Sequence, residues 1–108
     1  MTKIEENKKP VNEQETRNLI LQIQSGDTEA ENRLVDIHKG FTASVTRQYQ
    51  GQGLTDEEIT SACESALKRA ARKFDPNKDF AFISYAIWWM REGVLKTLKD
   101  KHSHVIKN

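Results

Sequence analysis

Apolar residues recur along this chain at intervals of three and four, the spacing of one helix face, and no strand-like alternation lasts beyond a few residues. Leu19, Ile20 and Ile23 form the first stripe, and Gly26 stops it. Thr28, followed three residues later by Glu31, has the form of a capping box and predicts a helix start. The stripe behind it is Leu34, Ile37, Phe41, Val45 and Tyr49, ended by Gly51 and Gly53. Thr55 with Glu58 repeats the capping pattern. The helix it predicts carries Ile59, Ala62, Cys63, Ala66, Leu67, Ala70 and Ala71, many of them small enough to let another helix approach closely. Phe74-Asp75-Pro76-Asn77-Lys78-Asp79 reads as a break. The last helix starts near Ala81–Ile83 and is expected to run to Lys99. The fold class is therefore all-α, a compact bundle of about four helices. It should occupy residues 12–101, between a flexible tail at 1–11 and a second tail at 102–108.

The final helix carries the most information. On ideal helical geometry Ile83, Ile87, Met90, Val94 and Leu98 fall within an arc of about 80°, which predicts a buried aliphatic face. Trp88, Glu92, Tyr85, Lys96 and Trp89 fall on the other side, about 140–240° around. Three large aromatics mixed with charge on the polar side can pack against another helix or the preceding loop. They can also form a stacking platform for unpaired bases. Phe80 and Phe82, read as loop residues, add rings, and Lys73, Lys78, Arg91, Lys96, Lys99 and Lys101 surround them. Aromatics interleaved with cations point to single-stranded or locally melted nucleic acid.

Composition narrows the classes. The 108 residues suit one domain, with 36% hydrophobic and 31% charged residues. No apolar run approaches the roughly 18 residues of a membrane span, and MTKIEENKKP has no hydrophobic stretch of a secretory signal. Cys63 is the single cysteine, which excludes an internal disulfide framework and a Cys-cluster zinc site and suits a reduced, cytoplasmic setting. It reads as a small buried residue. His38, His102 and His104 do not combine with Cys63 or carboxylates as a metal set. Without a phosphate loop or catalytic triad pattern, no enzyme and no cofactor is expected. The net charge of +1 is unevenly spread: residues 1–60 hold 7 Lys/Arg against 11 Asp/Glu, and residues 61–108 hold 10 against 5. Such polarity suits two partners or one polyanion, or chance segregation on solvated faces.

KFDPNKDFAFISYAIWWMRE, residues 73–92, resembles the signature of region 2 of bacterial sigma-70 family factors, the promoter-recognition subunits of RNA polymerase. The family pattern is close to K-F-D-P-x-[KR]-G-x-x-F-S-T-Y-A-x-W-W-I-R-Q. Upstream, LILQIQSGDTEAENRLVDIHKGFTASVTRQYQGQGL is similar to the family's apolar run, its Gly-Asp break and its Tyr-x-x-x-Gly-Leu helix end. The resemblance spans residues 18–100. It implies a helix that reads the minus-ten element and traps flipped-out bases of the non-template strand. The matching positions are Phe74, Lys78, Phe80, Phe82, Tyr85, Trp88 and Trp89. Tyr85 would stack on the first flipped base, with Trp88 and Trp89 wedged at the upstream edge of the bubble. Unstacking costs a few kcal/mol, which an aromatic pocket offsets. Lys73, Lys78, Arg91 and Lys96 would contact phosphates, which positions without specifying. The helix from Thr55 matches the surface that docks on the polymerase clamp helices.

The departures from the pattern are informative. The family's Gln-Glu pair on the docking helix is Ser61-Ala62, its Gly is Cys63, and Lys68 stands where the family is often apolar. Glu58 and Glu64 remain as polar contacts, while two anchors are lost where interface energy concentrates in few residues. Asp56-Glu57-Glu58 also suits a helix start, through the helix dipole. Asp79 replaces the loop Gly, and Glu92 and Leu95 replace Gln and Thr on the reading helix. Gln pairs with adenine, whereas Glu accepts from cytosine and is repelled by phosphate, so an altered or weakened reading of the double-stranded edge is expected. Complete factors of the family carry a further helix-turn-helix domain, and none fits after Asn108, which leaves open an isolated domain of a longer protein or a stand-alone factor. The expected function is minus-ten recognition and melting together with core polymerase. Two other readings stay open: a module that binds a regulator such as an anti-sigma protein, and a non-sequence-specific single-strand binder.

Overall fold

The computed structural model describes residues 12–106, so the tail expected at 1–11 lies outside the described residues. Five helices follow one another, and no strand occurs among the described residues: α1 (Glu13–Gln24), α2 (Thr28–Ile37), α3 (Lys39–Gln48), α4 (Asp56–Lys73) and α5 (Phe82–Ile106).

Local chemistry sets most of the ends. The Asn12 side chain accepts the Glu15 N–H and caps α1. At the other end Gly26 adopts φ 101°, a left-handed backbone, and its N–H donates to the Ile23 carbonyl while that of Asp27 donates to Gln22. The next cap differs from the sequence expectation. Asp27, not Thr28, is the N-cap of α2, with its carboxylate accepting the N–H groups of Glu29 and Ala30. A carboxylate there also meets the positive end of the helix dipole. The Thr55–Glu58 capping box of α4 forms in both directions, at 3.1 and 2.8 Å.

The helix expected from Thr28 to Tyr49 is two helices broken at His38. The backbone N–H of His38 donates to Val35, three residues back, and its ring Nδ1 donates to the Leu34 carbonyl at 2.8 Å. The side chain thus takes the acceptor that a continuing α-helix would give to the backbone. This break changes which residues face inward: Leu34 and Val45 are buried as expected, Phe41 is exposed, and His38, Thr42 and Thr46 are buried instead. The buried hydroxyls find partners nearby: Thr42 donates to the His38 carbonyl, and the Thr46 and Thr60 hydroxyls bond each other.

Helix α4 is the hub and touches all four others. Its inward residues, Ile59, Cys63, Ala66, Leu67, Ala70 and Ala71, are fully buried. Its small side chains give the close approach read from the sequence. A Cβ on Gly93 of α5 would lie 3.2 Å from Ala66 Cβ and 3.4 Å from the Ala62 carbonyl oxygen. Helix α5 runs on to Ile106, through residues 102–106 that were expected as tail, and residues 107–108 lie outside the described residues.

Candidate nucleic-acid interface

The buried stripe of α5 is rotated from the one expected. Phe82, Ala86, Met90 and Val94 are fully buried, while Ile83, Ile87 and Leu98 are half-buried. The small residues Ala86 and Gly93 allow α5 to lie close, and Gly93 meets Ala66 and Ala62 of α4. Turning that side inward carries Tyr85 and Trp89, neighbours of Gly93 and Ala86 around the helix, to the edge of the core, where both pack half-buried. The expectation that all three aromatics lie away from the core therefore holds for Trp88, which is 58% exposed, and is corrected for Tyr85 and Trp89.

The rings form one ladder of tilted and edge-on contacts. It starts at His38 against Phe82 (5.6 Å between centroids) and continues from Phe82 to Phe74 (5.3 Å) and from Phe74 to Tyr85 (5.5 Å). From Tyr85 it passes to Trp89 (6.1 Å) and ends at Trp88, perpendicular to Trp89 at 5.9 Å. Phe80 joins from the side, edge-on to Phe74 at 5.7 Å. Burial sorts these rings. Phe74 and Phe82 are core residues, the second being the first residue of α5 and not part of the loop, so neither offers a face to a base. Phe80 and Trp88 are exposed, and Tyr85 and Trp89 present one side each. The indole N–H of Trp89 is buried without an acceptor among the described residues.

Cations flank these rings along the chain. Lys73, Lys78 and Arg91 are exposed and form no ion pair among the described residues. Lys96 pairs with Asp100 at 3.2 Å, an exposed i,i+4 contact of small energetic weight. Glu92 and Leu95 are exposed on the same helix and border a shallow hollow with Lys96, Lys99 and Asp100.

The residues expected to dock on polymerase all lie on α4. Glu58 and Ala62 line a groove between α4 and α5, together with Ser61, Arg69, Gly93 and Lys96. Glu64 and Lys68 are half-buried on α4 and do not line it. Ala62 belongs to the helix crossing, through its contact with Gly93. The Glu58 carboxylate accepts the Thr55 N–H and takes Lys101 Nζ at 3.1 Å, and these two bonds hold its pKa below the usual carboxylate value. Burial pushes the Cys63 thiol up to about 11, which agrees with its reading as an inert buried residue. No group of three His, Cys, Asp or Glu residues is placed to hold a metal among the described residues.

Two residues that sequence reasoning missed hold the α4–α5 connection from α1. Arg17 donates through Nη1 to the Pro76 carbonyl and through Nη2 to the carbonyls of Lys78 (3.0 Å) and Phe80 (3.3 Å). Its guanidinium carbon lies 6.0 Å from the centre of the Phe74 ring. Gln24 donates to the carbonyls of Ala71 (3.0 Å) and Phe74 (2.7 Å). Positions 17 and 24 are seven apart and so share a helix face, a signal the sequence does hold but one that names no partner.

Helical packing around α4, with exposed rings and cations on the segment that opens the last long helix, defines an all-helical domain. The sequence model of the sigma-70 region 2 family matches residues 34–104, and the chain belongs to that family. It is 32% identical over 83 residues to the RNA polymerase sigma factor SigA of Listeria monocytogenes, and equally to the proteins of that name from Listeria innocua and a Bacillus species. The alignment covers 77% of this chain and 22% of each relative, so the chain spans about a fifth of the length of these curated relatives.

Proposed function

We propose that this chain acts in transcription initiation as a sigma-factor domain that binds the minus-ten element with core RNA polymerase and holds its non-template strand melted. One observation carries the reading: Phe80, Tyr85, Trp88 and Trp89 emerge together next to Lys73, Lys78 and Arg91, in a chain that belongs to the sigma-70 region 2 family. Stacking contributes roughly 1–3 kcal/mol per base, and the cations supply a salt-dependent phosphate term. Tyr85 would stack on the first flipped base through its exposed side, and Trp88 with the exposed side of Trp89 would wedge at the upstream edge of the bubble. Phe74 and Phe82 support these rings from below. Glu92 and Leu95 would face the duplex edge, where a carboxylate favours cytosine and an apolar side chain favours the thymine methyl group. The docking side would comprise Glu58, Ser61, Ala62, Glu64 and Lys68 against the clamp helices of core polymerase.

The test mixes the chain with core polymerase and non-template-strand oligonucleotides of varied minus-ten sequence. Sequence-dependent binding that requires core and is lost in Trp88→Ala supports the proposal. Absence of strand binding with and without core refutes it. Steep salt dependence without sequence preference indicates a general single-strand binder instead. Replacement of Glu92 by Gln should shift base preference at one position of the duplex edge, and an unchanged preference refutes its role there.

A second reading is favoured by the state of the docking side. Glu58 is engaged by Thr55 and Lys101, and Ala62 is turned into the helix crossing. A module with few polar anchors left for polymerase would instead bind a regulator of sigma factors, such as an anti-sigma protein. A pull-down against core polymerase decides between them: retention at a one-to-one ratio supports docking, and failure to retain the folded chain supports the regulator reading.

A further inference from the structure

Between Lys73, the last residue of α4, and Phe82, the first of α5, the connection makes few bonds of its own. The Asp75 side chain accepts the Asn77 N–H at 3.0 Å and the Asp75 carbonyl accepts the Lys78 N–H at 3.1 Å. Its remaining shape is held from outside. Four of its carbonyls, those of Phe74, Pro76, Lys78 and Phe80, and that of Ala71 in the last turn of α4 accept from two side chains of α1, a helix some fifty residues earlier that lies wholly before the segment matched by the family model. A guanidinium is suited to this, because its planar fork reaches several acceptors at once and its bonds are charge-assisted.

We propose that Arg17 and Gln24 are positioning residues of the strand-binding surface, which they serve by fixing the 74–80 connection with Lys78 and Phe80 exposed beside the aromatic ladder. This inference rests on the function proposed above. Lys78 and Phe80 stand on the connection itself, and Phe80 reaches the ladder through Phe74, whose ring lies under the Arg17 guanidinium. A connection ordered before binding does not lose its freedom on binding, and that difference appears as affinity. Arg17 acts through the protein and not on the phosphates, since its donors are already committed to three carbonyls and it lies 3.8 Å from the Glu13 carboxylate.

The experiment compares the full chain with Arg17→Ala, Arg17→Lys, Gln24→Ala and Trp88→Ala. It measures oligonucleotide affinity across a salt series, with core polymerase present, and amide hydrogen exchange at Asn77 and Lys78, whose N–H groups are bonded within the connection. Far-UV circular dichroism identifies variants that fold. Arg17→Ala should weaken binding roughly tenfold or more, the scale of one lost charge-assisted fork. Its salt dependence should keep the wild-type slope, and exchange at the bonded amides of Asn77 and Lys78 should rise at least tenfold. Arg17→Lys should recover part of both, as one ammonium cannot reproduce the fork. Should Arg17→Ala not fold, Arg17→Lys and Gln24→Ala carry the same comparison at smaller amplitude. Wild-type affinity in the folded Arg17 variants overturns the proposal. So does a salt slope reduced by about one, which marks a direct phosphate contact. If wild type and Trp88→Ala bind the strand equally, the surface reading fails separately. Exchange then decides the clamp alone, with unchanged protection at Asn77 and Lys78 overturning it.

Discussion

Phe82 separates what stabilises this domain from what it offers to a ligand. Its position in the aromatic signature suggests a DNA contact, yet its ring is fully buried, 5.3 Å from Phe74 and 5.6 Å from His38. Truncating a buried Phe to Ala costs about 3–5 kcal/mol through lost burial and the cavity left behind. Two edge-on aromatic partners contribute roughly 0.5–1.5 kcal/mol each beyond burial, which places Phe82→Ala toward the upper end. A domain of this size has a total stability of about 5–15 kcal/mol, so the loss is a large share of it. At 4–8 °C per kcal/mol, the melting temperature should fall by roughly 12–40 °C. Phe82→Leu should cost much less, as most of the volume is kept. Trp88→Ala removes a ring that is 58% exposed and should cost only about 0.5–1.5 kcal/mol, the scale of its edge-on contact with Trp89. Thermal and urea unfolding followed by circular dichroism checks all three. A drop of less than about 5 °C for Phe82→Ala would refute its placement in the core.

Other expectations follow from the same packing. Gly93→Ala gains about 1 kcal/mol of helix propensity but sets a methyl group 3.2 Å from Ala66 Cβ and 3.4 Å from a backbone oxygen. Neither neighbour can rotate away, so a net loss of about 1–2 kcal/mol is expected in urea unfolding, and a stabilised variant would contradict the close crossing. His38 has its pKa lowered from 6.5 by burial, against the pull of the Leu34 carbonyl and Glu13. The unfolded chain therefore binds the proton first as pH falls. Stability should be constant above about pH 6.5, decline below it, and level off under the folded-state pKa. In His38→Gln the decline between pH 6.5 and pH 5 should shrink, and a melting-temperature profile identical to wild type would exclude this linkage. Cys63 is fully buried with its thiol pushed up to about 11, so the folded chain should resist a thiol reagent at pH 8 and react at once in denaturant. Rapid native labelling would argue against the α4 packing.

Much of the fold is legible from spacing, because burial of one helix face leaves a period in the sequence. Ile20, Ile23, Leu34, Val45 and the inward row of α4 all lie where periodicity places them. The His38 break is not legible, since it depends on a ring nitrogen competing with the backbone for the Leu34 carbonyl. Nor is the rotation of α5. Aliphatic spacing points to Ile83 and Ile87, while the helix turns Ala86 and Gly93 to α4, because close approach of two backbones buries more than bulky side chains standing off.

The candidate site divides in the same way. The run from Lys73 to Glu92, with its rings and cations, is local and readable, and it carries the family with it. Periodicity and composition by themselves determined an all-helical chain with an aromatic, basic segment at the start of its last long helix. Tertiary structure decided which rings support and which are offered: Phe74 and Phe82 inward, Tyr85 and Trp89 at the edge, Phe80 and Trp88 outward. It also decided that Arg17 and Gln24, distant in sequence, hold the connection before that helix. The physical reason is that a helix period records how one helix divides between core and solvent. It carries no record of which neighbour a donor reaches, or of how far two helices turn about their axes to bring small residues together.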